Sequence, residues 1–282
     1  MIEVERMSQH DIEWVAVKPG SVMLGDSRGA LMHSGSNPQH EVRIEFGFEI
    51  SSKPVTFGQW KEIAGSTIVG DESDATLNRL SPLMVEGGLV GSGDLRPPSE
   101  AEWALAEEQG VASKFDVTVE LLADRPPKSG YWGAPCDGRP WVAQPKAGGA
   151  PLPAAHVTRV WQGSDGGRGT ARGTTPREVT RPQMGFRLVR LSEHAYSTSE
   201  PPRMPGPPPT SSLLVREGII ALIIGIIPSF TWAWFNASPN YITDSWLNLV
   251  VGGLFVSALS AFVWRPRTKV WRLSEDNRMQ TE

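Results

Sequence analysis

The sequence predicts an α+β domain with little regular structure, followed by a C-terminal two-helix transmembrane hairpin. Three observations carry that expectation. Apolar residues alternate along residues 42–50, on Val42, Ile44, Phe46, Phe48 and Ile50, which is the pattern of a strand with one face on a core. Two capping boxes, Thr56-Phe-Gly-Gln59 and Ser99-Glu-Ala-Glu102, announce helix starts, because the hydroxyl and the Gln or Glu satisfy backbone donors left free there. Toward the C-terminus, residues 218–235 and 245–264 run for 18 and 20 residues without a charge. Roughly 20 apolar residues are enough to cross a hydrocarbon core.

Taken in order, strands are expected over residues 15–24, 42–50, 157–161 and 186–189, the second being the clearest. Helices are expected over 57–64 and 100–109, with Gly65 and Gly110 as stops, since glycine accepts the left-handed conformation that ends a helix. Between and after them the chain is rich in Gly, Pro and Asp, notably over 130–153, so long loops are expected. Residues 1–198 form the soluble domain. Residues 199–212 hold six prolines in 14 positions and read as a semi-rigid polyproline II linker. The hairpin occupies 213–264, with spans at about 217–235 and 246–264. Pro228 lies inside the first span and predicts a kink, because its missing N–H breaks the helical ladder. Residues 265–282 form a basic tail.

The chain has 282 residues, a formal net charge of −4 and one cysteine. The charge argues against nucleic acid as a partner, since phosphate binding needs a basic face. A single thiol excludes an intrachain disulfide and a thiolate metal cage. The loop between the spans, residues 236–244, has no Lys or Arg, whereas Arg216, Arg265, Arg267, Lys269 and Arg272 flank the opposite ends. Basic residues near span ends stay on the cytoplasmic side, so both termini and the large domain are expected in the cytoplasm, with the lipid bilayer as a partner. The charged N-terminus lacks the apolar region of a secretory signal. Gly225, Gly252 and Gly253 would let helices approach closely in lipid.

A series of motifs then accumulates. Pro19-Gly-Ser-Val-Met-Leu-Gly25 is followed by Pro38-Gln-His-Glu-Val-Arg-Ile44, by FEISSKPVTFGQW at 48–60, by Pro98-Ser-Glu-Ala-Glu-Trp103, by Val119-Glu-Leu-Leu-Ala-Asp124 and by Gly185-Phe-Arg187. In this order they resemble the formylglycine-generating-enzyme family, also called the sulfatase-modifying-factor domain, over about residues 14–190. The segment at 98–103 is very like the family's "LPSEAEWE". The one at 119–124 is a weakened form of its "WEWxxD", with both tryptophans replaced by aliphatics. The resemblance implies a C-type-lectin-like fold, often stabilised by calcium. Active members hold copper(I) with two cysteines a few residues after an "RGGS" strand, and oxidise a substrate cysteine to formylglycine.

Here that strand corresponds to Arg159-Val-Trp-Gln-Gly-Ser164, and the following DGGRGTAR contains no cysteine. Copper(I) needs soft thiolates, so copper is not expected. The lone Cys136 lies away from the motif. Five histidines, His10, His33, His40, His156 and His194, show no ligand spacing, and His33 and His40 read as solvent-facing residues flanking a loop. Asp137-Gly138 and Asp165-Gly-Gly167 read first as turns, with calcium ligation as the alternative. Glu100 and Glu102 are accounted for by the helix dipole, and Glu120 and Asp124 match positions of structural character in the family. No catalytic residue is assigned. Trp161, Ser164, Arg168 and Arg172 are the candidate ligand-binding residues, because the resemblance places them along the substrate groove, and an Arg pair beside an aromatic suits an acidic or peptide ligand. Three functions stay open. One is a non-catalytic binding or scaffold module with a protein partner at the membrane; another is a metal-dependent oxidoreductase using other ligands; the third is an accessory subunit of a membrane complex.

Overall fold

The first strand begins at Trp14, and the residues described by the computed structural model hold thirteen short strands in all, seven α-helices and one π-helical turn. These residues are 12–25, 37–65, 74–112, 115–126, 130–142, 155–161, 170–191, 195–196, 200–263 and 269–281. Helix and sheet are mixed, as the α+β expectation requires. Strand β1 (Trp14–Val17) gives way at Lys18 and Pro19 to β2 (Gly20–Leu24), so the expected strand over 15–24 is two strands. Proline has no N–H for a ladder, and the break falls there.

The alternation over 42–50 also divides, into β3 (His40–Ile44) and β4 (Phe48–Ser51). β3 pairs antiparallel with β2, while β4 pairs with β1 on one side and with β11 (Val189–Leu191) on the other. Val42, Ile44, Phe48 and Ile50 nevertheless enter one buried cluster with Trp103, Leu105 and Trp161. A period of two records which face is buried and is blind to which sheet the strand joins. The corner at 45–47 therefore leaves no mark in the pattern.

Both capped helices form where expected. α1 (Phe57–Ala64) has the complete Thr56–Gln59 capping box and ends on Gly65 in the left-handed region. A short α2 (Pro82–Gly88) follows, capped by Ser81, and then α3 (Glu100–Glu108) with the Ser99–Glu102 box. A third sheet runs β10 (Met184–Gly185), β6 (Val119–Leu121), β7 (Ala155–Trp161), β8 (Thr170–Pro176). The expected strand at 157–161 is thus longer. The one at 186–189 begins only at Val189; residues 186–188 are irregular but buried, and the carbonyls of Phe186 and Leu188 accept from the Val55 and Ser51 N–H groups at 2.9 Å. The remaining pair is β5 (Arg79–Leu80) with β9 (Arg181–Pro182).

The linker and tail carry more structure than a tether and a free end. Residues 200–209 are irregular but tied down, Arg203 bridging to Pro135 and Met204 buried against the domain. After the helical region, β12 (Trp271–Leu273) pairs with β13 (Met279–Thr281) and lies parallel to β3, extending the β2–β3 sheet. The segment expected as a basic tail is therefore partly folded onto the N-terminal domain.

Between linker and tail, one continuous helical stretch spans Thr210–Asn236, 27 residues, long and apolar enough to cross a membrane. It comprises α4 (Thr210–Ile220), a π-helical turn (Ala221–Ile226) and α5 (Ile227–Asn236). The irregularity expected at Pro228 takes the form of that wide turn, just ahead of the residue that cannot donate to it. A short α6 (Pro239–Asp244) leads into α7 (Trp246–Val263). Its apolar stretch is shorter than the first. The two cross where Gly225 meets Gly253 so closely that a Cβ on either would overlap the other's backbone. Gly252, in contrast, faces open space.

Candidate functional site

The N-terminus of α3 gathers most of the buried charge. Ser99 caps the helix, accepting from the Glu102 N–H, while the Glu102 carboxylate accepts from the Ser99 N–H at 2.7 Å. Glu102 also receives both terminal nitrogens of Arg96, at 2.8 and 2.6 Å, and the Tyr196 hydroxyl at 2.9 Å. One turn of sequence thus satisfies backbone and guanidinium with a single carboxylate.

Glu100 sits beside it, buried, and faces across to the sheet that holds β7 and β8. Its oxygens pair with Arg159 of β7 at 3.2 Å and with Arg172 of β8 at 3.0 Å. Arg159 and Arg172 are cross-strand neighbours in the β7–β8 ladder, so the sheet delivers two guanidinium groups to one acid. These charges, with a hydrogen bond from Tyr131, outweigh burial and hold the Glu100 carboxyl below its ordinary range. The Arg159 guanidinium lies over the Trp103 ring at 5.6 Å, and that of Arg172 over the Tyr131 ring at 4.6 Å.

Asp124 completes the cluster. Its carboxylate accepts from the Glu100 N–H at 2.6 Å and the Trp141 N–H at 2.7 Å, tying the loop after β6 to the helix start. Burial, joined by the negative charge of Glu100, pushes its pKa up to about 7. His40, at the start of β3, is buried rather than solvent-facing. A loop reading missed this because His40 occupies an inward position of a strand whose start the alternation did not mark. Its Nδ1 lies 3.0 Å from the Pro38 carbonyl, an acceptor only, so Nδ1 carries the proton and Nε2 is left as a bare lone pair. Burial holds the His40 pKa below its ordinary value. A cavity of about 20 Å³, room for roughly one water, lies among His40, Glu100, Tyr131 and Arg172.

Of the four residues singled out from sequence, Trp161 and Arg172 are described; Ser164 and Arg168 lie outside the described residues. Trp161 is in the core, its ring edge-on to Trp103 at 5.4 Å and its indole N–H donated to Glu120 at 3.1 Å. Arg172 reaches solvent with about a fifth of its side chain (22% exposed), its Nε bound to Glu100. The Arg pair that the fold assembles is therefore Arg159 with Arg172. The signal that could have found it is a basic residue on each of two consecutive strands, at positions that face each other when those strands pair.

The remaining candidates resolve simply. Asp137 accepts from the Arg139 backbone and side chain at 3.2 and 2.7 Å, the turn that Asp-Gly signals. Asp165 to Gly167 lie outside the described residues, as do His10, His33 and His194. Among the described residues no group of three His, Cys, Asp or Glu could hold a metal ion. Cys136 is fully buried, and burial pushes its thiol up to about 12. That sulfur does not fit the copper chemistry of the resembled family, which needs two accessible thiolates.

No family model and no curated protein matches the chain. Solved structures do. The chain is similar to PvdO from Pseudomonas aeruginosa at 18% identity and a TM-score of 0.49, over 64% of this chain and 95% of that one. It is similar to Treponema denticola variable protein 1 at 14% identity and 0.37, over 64% and 95%. It is also similar to CarF at 14% identity and 0.35, over 65% and 100%.

Proposed function

We propose that this chain is a membrane-anchored sulfatase-modifying-factor-like domain that lacks the copper-binding cysteine pair and serves as a non-catalytic binding or scaffold module at the bilayer. The observation that carries the reading is the state of its only thiol. Cys136 is buried with its pKa raised, the carboxylates of Glu100 and Asp124 are engaged by guanidinium and backbone N–H groups, and the unpaired Nε2 of His40 faces a cavity with room for roughly one water and none for a substrate. A nucleophile or soft ligand needs a free thiolate, and a general base needs an unpaired lone pair facing substrate.

The anchor reading is supported by the exposed apolar stretch of Thr210–Asn236 and by α7 packed against it. Chain on both sides of this helical region docks on the same patch of the soluble domain, Met204 before it and Leu273 after it. A segment that leaves and returns to one side crosses an even number of times, which favours two spans. The basic residues Arg216, Arg265, Arg267, Lys269 and Arg272 then favour the cytoplasm for that side. The glycines at 225 and 253 are engaged within the hairpin, leaving Gly252 as the open small residue for a neighbouring helix.

Metal analysis of the purified full-length protein, together with identification of what co-purifies from gently solubilised membranes, tests the reading. Absence of a stoichiometric transition metal together with a defined protein partner is the expected result. Copper or iron near one per chain overturns it in favour of an oxidoreductase with other ligands. Replacing residues 213–264 with an unrelated helical hairpin, while keeping 269–281, separates the remaining reading. Loss of the partner in that chimera assigns binding to the spans, as in an accessory subunit of a membrane complex.

A further inference from the structure

The polypeptide leaves the soluble domain and comes back to it at the same place. Outbound, the proline-rich segment is strapped down by backbone bonds: the Cys136 N–H donates to Pro202 O at 2.8 Å, the Met204 N–H to Ala134 O at 2.9 Å and the Gly133 N–H to Pro205 O at 3.1 Å. Inbound, the Trp271 N–H donates to Gln39 O at 2.9 Å, Arg43 donates to Leu273 O at 3.2 Å, and the Leu273 N–H donates to Glu41 at 3.2 Å. The Trp271 ring meets Trp132 edge-on at 6.0 Å. Strap and returning strand then touch through side chains, because Cys136, Met204 and Leu273 form one buried cluster.

Each part is weak alone. A polyproline segment makes no internal hydrogen bonds, and an isolated two-stranded ribbon of three-residue strands is marginal in water. Joined through the helical hairpin, strap and strand are presented to each other at the high effective concentration of an intramolecular contact.

We infer that the C-terminal strand pair Trp271–Thr281 is a clasp, which closes over the proline strap at Cys136 and pins the soluble domain to both ends of the helical hairpin. The domain is held at the foot of the hairpin instead of swinging on a spacer. That the foot lies at a bilayer surface rests on the membrane reading above; the clasp itself does not. Opening the clasp uncovers Cys136, and a partner that competes for the edge of β3 that β12 occupies would do so.

Because Cys136 is the only thiol in the chain, its reaction with a maleimide reports the clasp at a single site. In the full-length protein in its membrane fraction, native Cys136 should label far more slowly than in urea. Leu273→Asp should accelerate labelling by about ten-fold or more, and Trp271→Ala by less, since local opening and not global unfolding gates a buried thiol. Tryptophan-fluorescence melting verifies that the core is retained, and where Leu273→Asp prevents folding, Trp271→Ala decides. Native labelling as fast as in urea overturns the clasp, as does an unchanged rate in folded variants. Carbonate washing keeps the two readings apart. A washed-off protein with shielded Cys136 sinks the membrane reading and leaves the clasp, whereas a retained protein with reactive Cys136 does the opposite.

Discussion

Arg187 and Glu120 form an ion pair in which neither side chain is exposed to solvent. The guanidinium donates through Nε at 3.0 Å and through Nη2 at 3.4 Å, and Trp103 and Trp161 donate their indole N–H groups to the same carboxylate at 2.9 and 3.1 Å. Arg187 also donates to the Ser51 and Ser52 carbonyls at the end of β4. The pair therefore joins α3, β6, β7 and the irregular run after β10 to the first sheet.

The first prediction concerns this pair. Glu120→Ala removes the acceptor for four N–H donors from three side chains and leaves a buried cation without its counter-ion. Breaking a buried pair from one side costs about 3–5 kcal/mol, more than most single substitutions. The expected outcome is a domain that is largely unfolded or melts far below the parent. Glu120→Gln keeps the shape and an acceptor oxygen and should fall between. Thermal melting by tryptophan fluorescence reads both, and a Glu120→Ala protein that melts with the parent contradicts the assignment.

Gly138 supplies a second prediction. It follows Asp137 in the turn that carries Cys136, has φ of +88°, and a Cβ there would press on Ile44 of β3 at 2.6 Å. Gly138→Ala therefore combines a left-handed backbone with overpacking against a core strand, each costing on the order of 1–3 kcal/mol. Urea unfolding should show a lower midpoint. Gly133→Ala, also at positive φ but with nothing near its Cβ, should show the backbone share alone, and equal losses in both would remove Ile44 from the account.

How much of this was legible in the sequence depends on how local each cause is. The two capped helices appear at their expected positions because a capping box is complete within four residues. The division of residues 42–50 between two sheets was not legible, since Val42 to Ile50 line one core throughout. Glu100 shows a different limit. An acid at a helix start is already explained by the dipole, so nothing in the local sequence asks for Arg159 and Arg172, which arrive from a distant hairpin. Trp271–Leu273 is too short to announce a strand, and its partner β3 lies more than two hundred residues earlier. The two apolar helices were legible by composition, but the Gly225–Gly253 crossing needed both in place.

That crossing gives a third prediction. A Cβ on Gly253 would fall 2.8 Å from the backbone of Gly225 and Ile226, and backbone cannot yield as a flexible side chain does. Gly253→Val and Gly225→Val should each force α7 away from the first helix, while Gly252→Val, with open space before it, should not. Small residues at a helix crossing are what allow close packing in lipid, where apolar burial gives little drive. Protease resistance of the hairpin in detergent should fall in the first two and match the parent in the third. A Gly252→Val protein that behaves like Gly253→Val would place the contact elsewhere.

The last prediction is a pH dependence centred on Asp124. Its pKa is raised from 3.8 to about 7 in the folded domain, chiefly by burial. The folded state then holds a proton that the unfolded chain has released, so between about pH 4 and pH 7 the native state binds more protons and stability falls as pH rises. His40 acts in the opposite direction, because its pKa is lowered and its share of stability is lost as pH falls below its ordinary 6.5. Glu100, also lowered, loses its share only toward the acid end, below its ordinary 4.5. The parent profile is thus a sum, and the Asp124 contribution is read as a difference. Asp124→Asn removes the titration but also exchanges one acceptor for an NH2 facing a backbone N–H, so near pH 4–5 it should be less stable by about 1–3 kcal/mol or more. The deficit should be largest near pH 4–5 and shrink toward pH 7. A constant gap between the two melting curves across that window would show that Asp124 is ionised throughout, held so by the Glu100 and Trp141 N–H groups.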